Sequence, residues 1–189
     1  MSPNMTSSKR QSIIHSVRHW VETVVVGLNI CPFAGAELLN ERVRFTLSVA
    51  TTEPQLLLDL QHELELLTRD ESIETTLLIH PNVLEDFDTF NQFLDRLDAL
   101  LQQLELEGIY QVASFHPDYQ FAGTESDAAE NYTNRAPYPM FHLLREASLE
   151  RAIAGYPGVE QIPERNIELL EGMGAEKMQA LLRACFDSE

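Results

Sequence analysis

Apolar and polar positions alternate along the chain with two different periods, and these periods predict its helices and strands. Residues 11–29 carry apolar side chains at steps of three and four, which is typical of an amphipathic helix. The same spacing follows Thr51 and recurs from Phe87 towards a predicted helix end at Gly108. Between these helices lie three short, mainly apolar runs that predict strands: residues 44–50, 75–79 and 110–115.

This order of elements predicts an α/β fold. Strands that alternate with long helices usually pair in parallel, because the crossover helix returns the chain to the same edge of the sheet. We therefore expect a small, mainly parallel sheet of three or four strands, built from βαβ units and covered by helices. The expected α/β domain spans residues 11–189, after a flexible tail at 1–10. A long ordered loop precedes the C-terminal helices, the first of which is predicted to begin at Pro139.

The acidic composition of the chain excludes two classes of partner. The chain has 30 acidic and 13 basic residues, for a formal charge of -17, so it repels polyanions and excludes nucleic acid and anionic membranes as primary partners. No apolar run reaches the roughly 20 residues of a membrane span, and the N-terminus does not resemble a signal peptide. Cys31 and Cys185 lie far apart and form no metal or redox motif, which favours a cytoplasmic protein with reduced thiols.

Cys31 lies where the first helical pattern stops. Pro32 follows it, and proline is favoured in the first turn of a helix, so Cys31 is expected at or near the N-cap of a second, short helix. The helix dipole and free backbone amides at such a position favour a thiolate. The alternative is a small buried hydrophobic residue, which is a common role of unoxidised cysteine.

The second and third strands end in a shared pattern. His80 precedes Pro81 and Asn82, and His116 precedes a proline and Asp118. If the two strands are parallel, both corners lie at the same carboxyl edge, where open α/β sheets bind ligands. Turn chemistry alone also explains the pattern, since proline and Asx residues end strands for local reasons.

The segment 114–146 is rich in residues that handle protons and anions. His142 and Arg145 are three apart in the helix predicted from Pro139, so they are expected to share a face. Its arginines either bind an anionic ligand or neutralise neighbouring carboxylates.

Six separated motifs occur in one order along the chain. They are residues 27–34, which include Cys31-Pro32-Phe33, and residues 78–81, 114–123, 131–139, 142–146 and 162–166. Together they resemble the motifs of the bacterial family catalogued as domain of unknown function 1415. The resemblance implies a complete bacterial protein of one domain, and it implies neither a reaction nor a substrate.

The first functional hypothesis is a cytoplasmic enzyme that acts on a small anionic metabolite by histidine acid/base chemistry. Cys31 is its candidate nucleophile. His116 or His142 is the candidate base, and Asp118 or an asparagine orients that base. The side chains expected to hold the anion are Asn131, Asn134, Arg135, Tyr138 and Arg145.

Two alternatives stay open. A divalent metal ion at the His-Pro-Asx corners would activate water, and its ligands would be His80, His116, Asp118 and His142. In the other alternative no covalent chemistry occurs, and the segment 114–146 is a ligand-binding surface or a packed loop held by its own hydrogen bonds. The pattern indicates no particular cofactor.

Overall fold

A computed structural model describes residues 5–186 and shows a mixed α/β protein. Its described part contains one four-stranded sheet, with strands β1 (Val43–Leu47), β2 (Thr75–Ile79), β3 (Tyr110–Phe115) and β4 (Met140–Arg145). The α-helices of the same part are α1 (Ser7–Trp20), α2 (Ala34–Leu39), α3 (Glu53–Arg69), α4 (Phe87–Gln103), α5 (Glu146–Ala154), α6 (Ile162–Met173) and α7 (Ala175–Ala184). A π-helix at Val21–Val26 continues α1, and short 3-10 helices occupy Ala129–Thr133 and Val159–Gln161.

The order of strands in the sheet is β1-β2-β4-β3. Strands β1 and β2 pair in parallel, whereas β4 is antiparallel to both of its neighbours, β2 and β3. The prediction of a mainly parallel sheet is therefore wrong, because two of the three strand pairs are antiparallel. Strands β2 and β3 still run in the same direction, since each is antiparallel to β4.

Strand β4 is the element that the sequence pattern misassigned. A helix was predicted from Pro139 to about Ala154, but Met140–Arg145 forms a six-residue strand and only Glu146–Ala154 is helical. A short apolar run fits a buried strand as well as a helix, and β4 satisfies its backbone groups by pairing on both sides. His142 and Arg145 consequently lie an odd number of residues apart on a strand, which places their side chains on opposite faces of the sheet.

Two hydrophobic clusters cover the two faces of the sheet. The α3/α4 side includes the fully buried side chains of Leu60, Leu64, Phe90, Phe93 and Phe141. The other side, covered by α1, the π-helix, α6 and α7, is called the α1 side and includes Val17, Trp20, Leu77, Met140 and Leu170. Adjacent residues of β4 alternate between these clusters, as expected of a central strand.

Helix α1 begins at Ser7, inside the segment predicted as a flexible tail at residues 1–10. Thr6 is its N-cap, because the Oγ1 of Thr6 accepts a hydrogen bond from the backbone N–H of Lys9. Residues 1–4 of the predicted tail lie outside the described residues. No helix between residues 5 and 186 is both long and apolar enough to cross a membrane.

Candidate functional site

A cavity of about 330 Å³ lies on the α1 side of the sheet and contains two of the predicted catalytic residues, Cys31 and His142. Its walls come from the π-helix, the turn around Cys31, helices α2 and α5, and strand residues of the sheet. Most of the lining side chains are apolar, among them Trp20, Val25, Phe33, Leu77, Phe115 and Leu149. Its size and its apolar walls are typical of a site for a small molecule. We call this space the Cys31–His142 cavity.

The π-helix shapes one wall of the cavity. Its widened turn lets the carbonyl of Val25 accept hydrogen bonds from the backbone N–H groups of Ile30 and Cys31, at 2.9 and 3.3 Å. A Cβ atom on Gly27 would lie 2.3 Å from the carbonyl oxygen of Thr23, so the turn that follows the π-helix needs glycine. Such π-helical segments occur frequently at functional sites.

Cys31 was expected at or near the N-cap of a short helix, and it lies two residues before that N-cap without capping helix α2 itself. The N-cap of α2 is Phe33, and the helix begins at Ala34. Cys31 lies in the turn before it, where its carbonyl accepts a hydrogen bond of 3.4 Å from the N–H of Ala34. Pro32 therefore continues a turn instead of beginning a helix. The side chain of Cys31 is partly exposed and borders the cavity.

His142 faces the cavity from β4, in register with Leu77 of β2. Its Nε2 lies 2.6 Å from the Oγ1 of Thr75, which itself lies 2.6 Å from the carbonyl oxygen of Leu143. A carbonyl only accepts, so the hydroxyl proton of Thr75 goes to Leu143, and His142 donates from Nε2 to Thr75. Its Nδ1 is thus an acceptor, and no described residue donates to it.

Burial sets the charge of this ring. It lowers the pKa of His142 from 6.5 to about 4, because an imidazolium would lose its hydration among apolar side chains. His142 is therefore neutral near pH 7. The hydrogen bond to Thr75 and the low pKa together keep its Nδ1 lone pair available to a bound molecule.

Two carboxylates border the same cavity. Glu37 lies in α2, and Glu74 immediately precedes β2. Arg42 forms ion pairs with both, at 3.3 Å from Nη1 to the Oε2 of Glu37 and through its Nη2 to the Oε2 of Glu74. The polar lining of the cavity therefore includes two carboxylates that share one guanidinium.

The two His-Pro-Asx corners lie at one edge of the sheet and pack on the α3/α4 side, where His80 and His116 both contact the ring of Phe90. His116 donates from Nε2 to the carbonyl of Leu84 at 3.2 Å, and its Nδ1 accepts from the N–H of Asp118 at 3.0 Å. Both ring nitrogens of His116 are thus used by the backbone. Asp118 itself is exposed.

His80 holds the loop that follows β2. Its Nδ1 donates to the carbonyl of Val83 at 3.0 Å, while its Nε2 is buried without a hydrogen-bond partner. Burial lowers the pKa of His80 to about 4. A neutral ring with one bare nitrogen fits the apolar contacts of His80 with Phe90 and Phe141.

The predicted anion-binding residues of the long loop bind its own backbone. Asn131 is fully buried; its Oδ1 accepts from the N–H of Phe121 and its Nδ2 donates to the carbonyl of Glu125. Asn134 donates to the carbonyl of Ser114 at 3.0 Å. These contacts order the loop and occupy both ends of the Asn131 amide and the Nδ2 of Asn134.

Arg135 and Tyr138 also pack within the protein. Arg135 donates to the carbonyls of Tyr119 and Ser126, at 2.9 and 2.7 Å. Tyr138 packs edge to face against Phe186, and burial raises the pKa of its hydroxyl. Neither residue lines the Cys31–His142 cavity.

Arg145 binds backbone carbonyls at the C-terminal end of α3 and in the turn after it. Its guanidinium donates to the carbonyls of Leu67, Asp70 and Ile73, at 2.5, 3.2 and 3.0 Å, and to the hydroxyl of Tyr110 at 3.4 Å. The residue borders the cavity at the end of β4, but these donors lie on the α3/α4 side. The predicted helix face shared with His142 is wrong because both residues are on a strand.

The sheet separates the predicted catalytic residues into two groups. Cys31 and His142 border one cavity, whereas His116 and Asp118 lie at the corner on the other side. Within residues 5–186, no three or more His, Cys, Asp or Glu side chains are grouped so that they could hold a metal ion. The metal alternative at the corners therefore has no support from the geometry.

Three features of the cavity were missed by the sequence patterns: the π-helix, Thr75 and Glu74. A π-helix has no strong periodic signal, since residues 11–29 satisfy a helical period throughout. Glu74 and Thr75 left a weak signal, because they are polar residues at the start of an otherwise apolar strand. Such residues need partners when they are buried.

The chain is a mixed α/β protein with an apolar cavity on one face of its sheet. The chain belongs to the family described as "Protein of unknown function (DUF1415)", whose family model matches residues 12–180. The family resemblance of the six motifs is thereby confirmed. Comparisons with curated proteins and with solved structures gave no match.

Proposed function

We propose that the protein binds a small molecule with an apolar body in the Cys31–His142 cavity and acts on it by histidine acid/base chemistry. The observation that carries this proposal is the presence of a thiol and an imidazole with a free Nδ1 at the border of one apolar cavity. His142 is the candidate base, and Cys31 is the candidate nucleophile.

The low pKa of His142 makes it unfavourable for this residue to accept a proton. A proton that moves from the Cys31 thiol to Nδ1 of His142 produces an imidazolium, which burial disfavours. The thiolate formed in the same step carries the opposite charge at the border of the same cavity, and the attraction between the two charges offsets part of the cost. The two residues are therefore proposed to act as a pair.

The alkylation rate of Cys31 tests the pair. Iodoacetamide labelling near neutral pH, followed by peptide mass spectrometry, separates Cys31 from the buried Cys185. We expect His142→Gln to slow the labelling of Cys31 by about tenfold or more, because the thiol loses its base. The matched control is His15→Gln on the exposed face of α1, which should leave the rate unchanged.

A binding protein without turnover is the second candidate. It is favoured by the hydrogen bonds of His116, Asn131, Arg135 and Arg145, which hold backbone groups in place. Equal labelling rates of Cys31 in the wild type and in His142→Gln would reject the catalytic pair and leave this candidate. The cytoplasmic location and the bacterial source stay predictions. So does the anionic ligand expected at residues such as Asn134 and Arg135, which do not line this cavity.

A further inference from the structure

Glu74, a residue that lines the Cys31–His142 cavity, has one carboxylate oxygen without a partner. The residue is 9% exposed, and its Oε2 pairs with Arg42. Its Oε1 is buried and accepts no hydrogen bond from the described residues. A carboxylate accepts up to about four hydrogen bonds, and an unpaired buried oxygen is unfavourable. The carboxylate of Glu74 therefore lacks a donor.

Glu74 shares its ion-pair partner with a second carboxylate. Glu37 borders the same cavity and also pairs with Arg42, so two carboxylates have one guanidinium between them. Arg145 borders the cavity too, but its guanidinium donates to backbone carbonyls, such as that of Ile73, and to neither carboxylate. Neither carboxylate therefore has a guanidinium of its own as a hydrogen-bond partner.

We propose that the ligand of the Cys31–His142 cavity is an amphipathic amine. Its apolar body would fill the space beside Trp20 and Phe115, and its ammonium group would donate to the carboxylate of Glu74, whose Oε1 has no partner. This inference rests on the proposed function, because it names the ligand class of the same cavity. An amine supplies the missing donor together with a positive charge for the two carboxylates, whereas an alcohol supplies only a donor and a carboxylate supplies neither.

Three probes with the same phenethyl body test this inference: 2-phenylethylamine, 2-phenylethanol and 3-phenylpropanoate. Each is titrated into the full chain near neutral pH and followed by calorimetry. We expect the amine to bind about tenfold or more tightly than the alcohol, and the carboxylate to bind most weakly, because the amine alone adds a charge-assisted hydrogen bond. The amine should also slow the alkylation of Cys31, which locates it in the cavity.

The substitution Glu74→Gln keeps the shape of the side chain and removes its charge. We expect it to reduce the affinity for the amine to about that for the alcohol. The matched control is Glu63→Gln, because Glu63 is 5% exposed and pairs with Arg44 of β1, on the α3/α4 side. It should leave amine binding unchanged. If circular dichroism shows that the Glu74→Gln variant is unfolded, Glu37→Gln tests the other carboxylate that pairs with Arg42 beside the cavity.

Equal binding of the amine and the alcohol would overturn the amine assignment while leaving the cavity as a binding site. Unchanged amine affinity in the folded Glu74→Gln variant, absence of amine binding, or amine binding that leaves Cys31 alkylation unaffected would also overturn it. The His142→Gln labelling rate tests the proposed function without any ligand. The failure of one proposal is therefore distinguishable from the failure of the other.

Discussion

His142 donates a hydrogen bond from Nε2 to the Oγ1 of Thr75 at 2.6 Å. The hydroxyl of Thr75 in turn donates to the carbonyl of Leu143, so the chain of two hydrogen bonds has one direction. This direction fixes the tautomer of the ring and leaves Nδ1 as the acceptor beside the cavity. Thr75 is thus a positioning residue for the candidate base.

We predict that Thr75→Val lowers the free energy of unfolding by about 1–3 kcal/mol, because it leaves the Nε2–H of His142 and the carbonyl of Leu143 without partners. Urea unfolding measures this loss, and nitrogen-15 NMR of the ring should show that one tautomer no longer predominates. The control is Thr76→Val on the next residue, whose buried hydroxyl has no partner. That change should be neutral or stabilising, and equal losses at the two positions would contradict the prediction.

Gly27→Ala should destabilise the protein by about 1–3 kcal/mol, because the added Cβ overlaps the carbonyl oxygen of Thr23 and forces the turn to move. The displaced turn carries Cys31, so the alkylation rate of Cys31 should change as well. The control is Gly35→Ala in α2, where the nearest atom to an added Cβ is 3.5 Å away. An alanine there should be neutral or stabilising. A Gly27→Ala protein with wild-type stability would show that the close approach is absent.

Arg145→Gln should lower the free energy of unfolding by about 2–3 kcal/mol, because three backbone carbonyls lose a charged donor. Arg145→Lys should recover little of this loss, since an ammonium cannot reproduce the planar array of guanidinium donors. Thermal and urea unfolding measure both variants. The exposed Arg69, which pairs with Glu65 on α3, is the control, and Arg69→Gln should cost about 0.5 kcal/mol or less. If Arg145→Gln is as stable as the wild type, the guanidinium of Arg145 does not stabilise these three carbonyls, and the prediction is wrong.

Acid should weaken the fold through His80. Its pKa is about 4 in the folded protein and 6.5 in its ordinary state, so between these values the unfolded chain binds a proton that the folded chain does not. The contribution of neutral His80 to the free energy of unfolding is therefore fully present above about pH 6.5. It is lost as the pH drops towards 4, and the loss is about 3 kcal/mol for one histidine.

Urea unfolding of His80→Gln at about pH 7, 5.5 and 4.5 checks this pH dependence. The variant should lose less stability than the wild type across that window, because glutamine does not titrate. His142 has the same low pKa and contributes equally to both proteins. Parallel curves for the variant and the wild type would refute the assignment, and His15→Gln on the exposed face of α1 serves as the control.

Local patterns were sufficient for most of the elements. Strands β2 and β3 have the predicted bounds, and α4 begins at the predicted Phe87, because periodicity and capping depend on neighbouring residues. The end of the first helical pattern before Cys31 was also readable, since Pro32 disfavours helix in the residue before it. Residue type alone selected Cys31 and His142 as candidates.

Tertiary structure decided how these pieces combine. The run Met140–Arg145 fits a strand or a helix locally, and only its pairing between β2 and β3 makes it a strand. That pairing puts His142 beside the cavity and Arg145 on the opposite face, and it brings Thr75 to the ring of His142. Partners that lie 67 residues apart in the chain leave no local pattern, so the site depends on strand register.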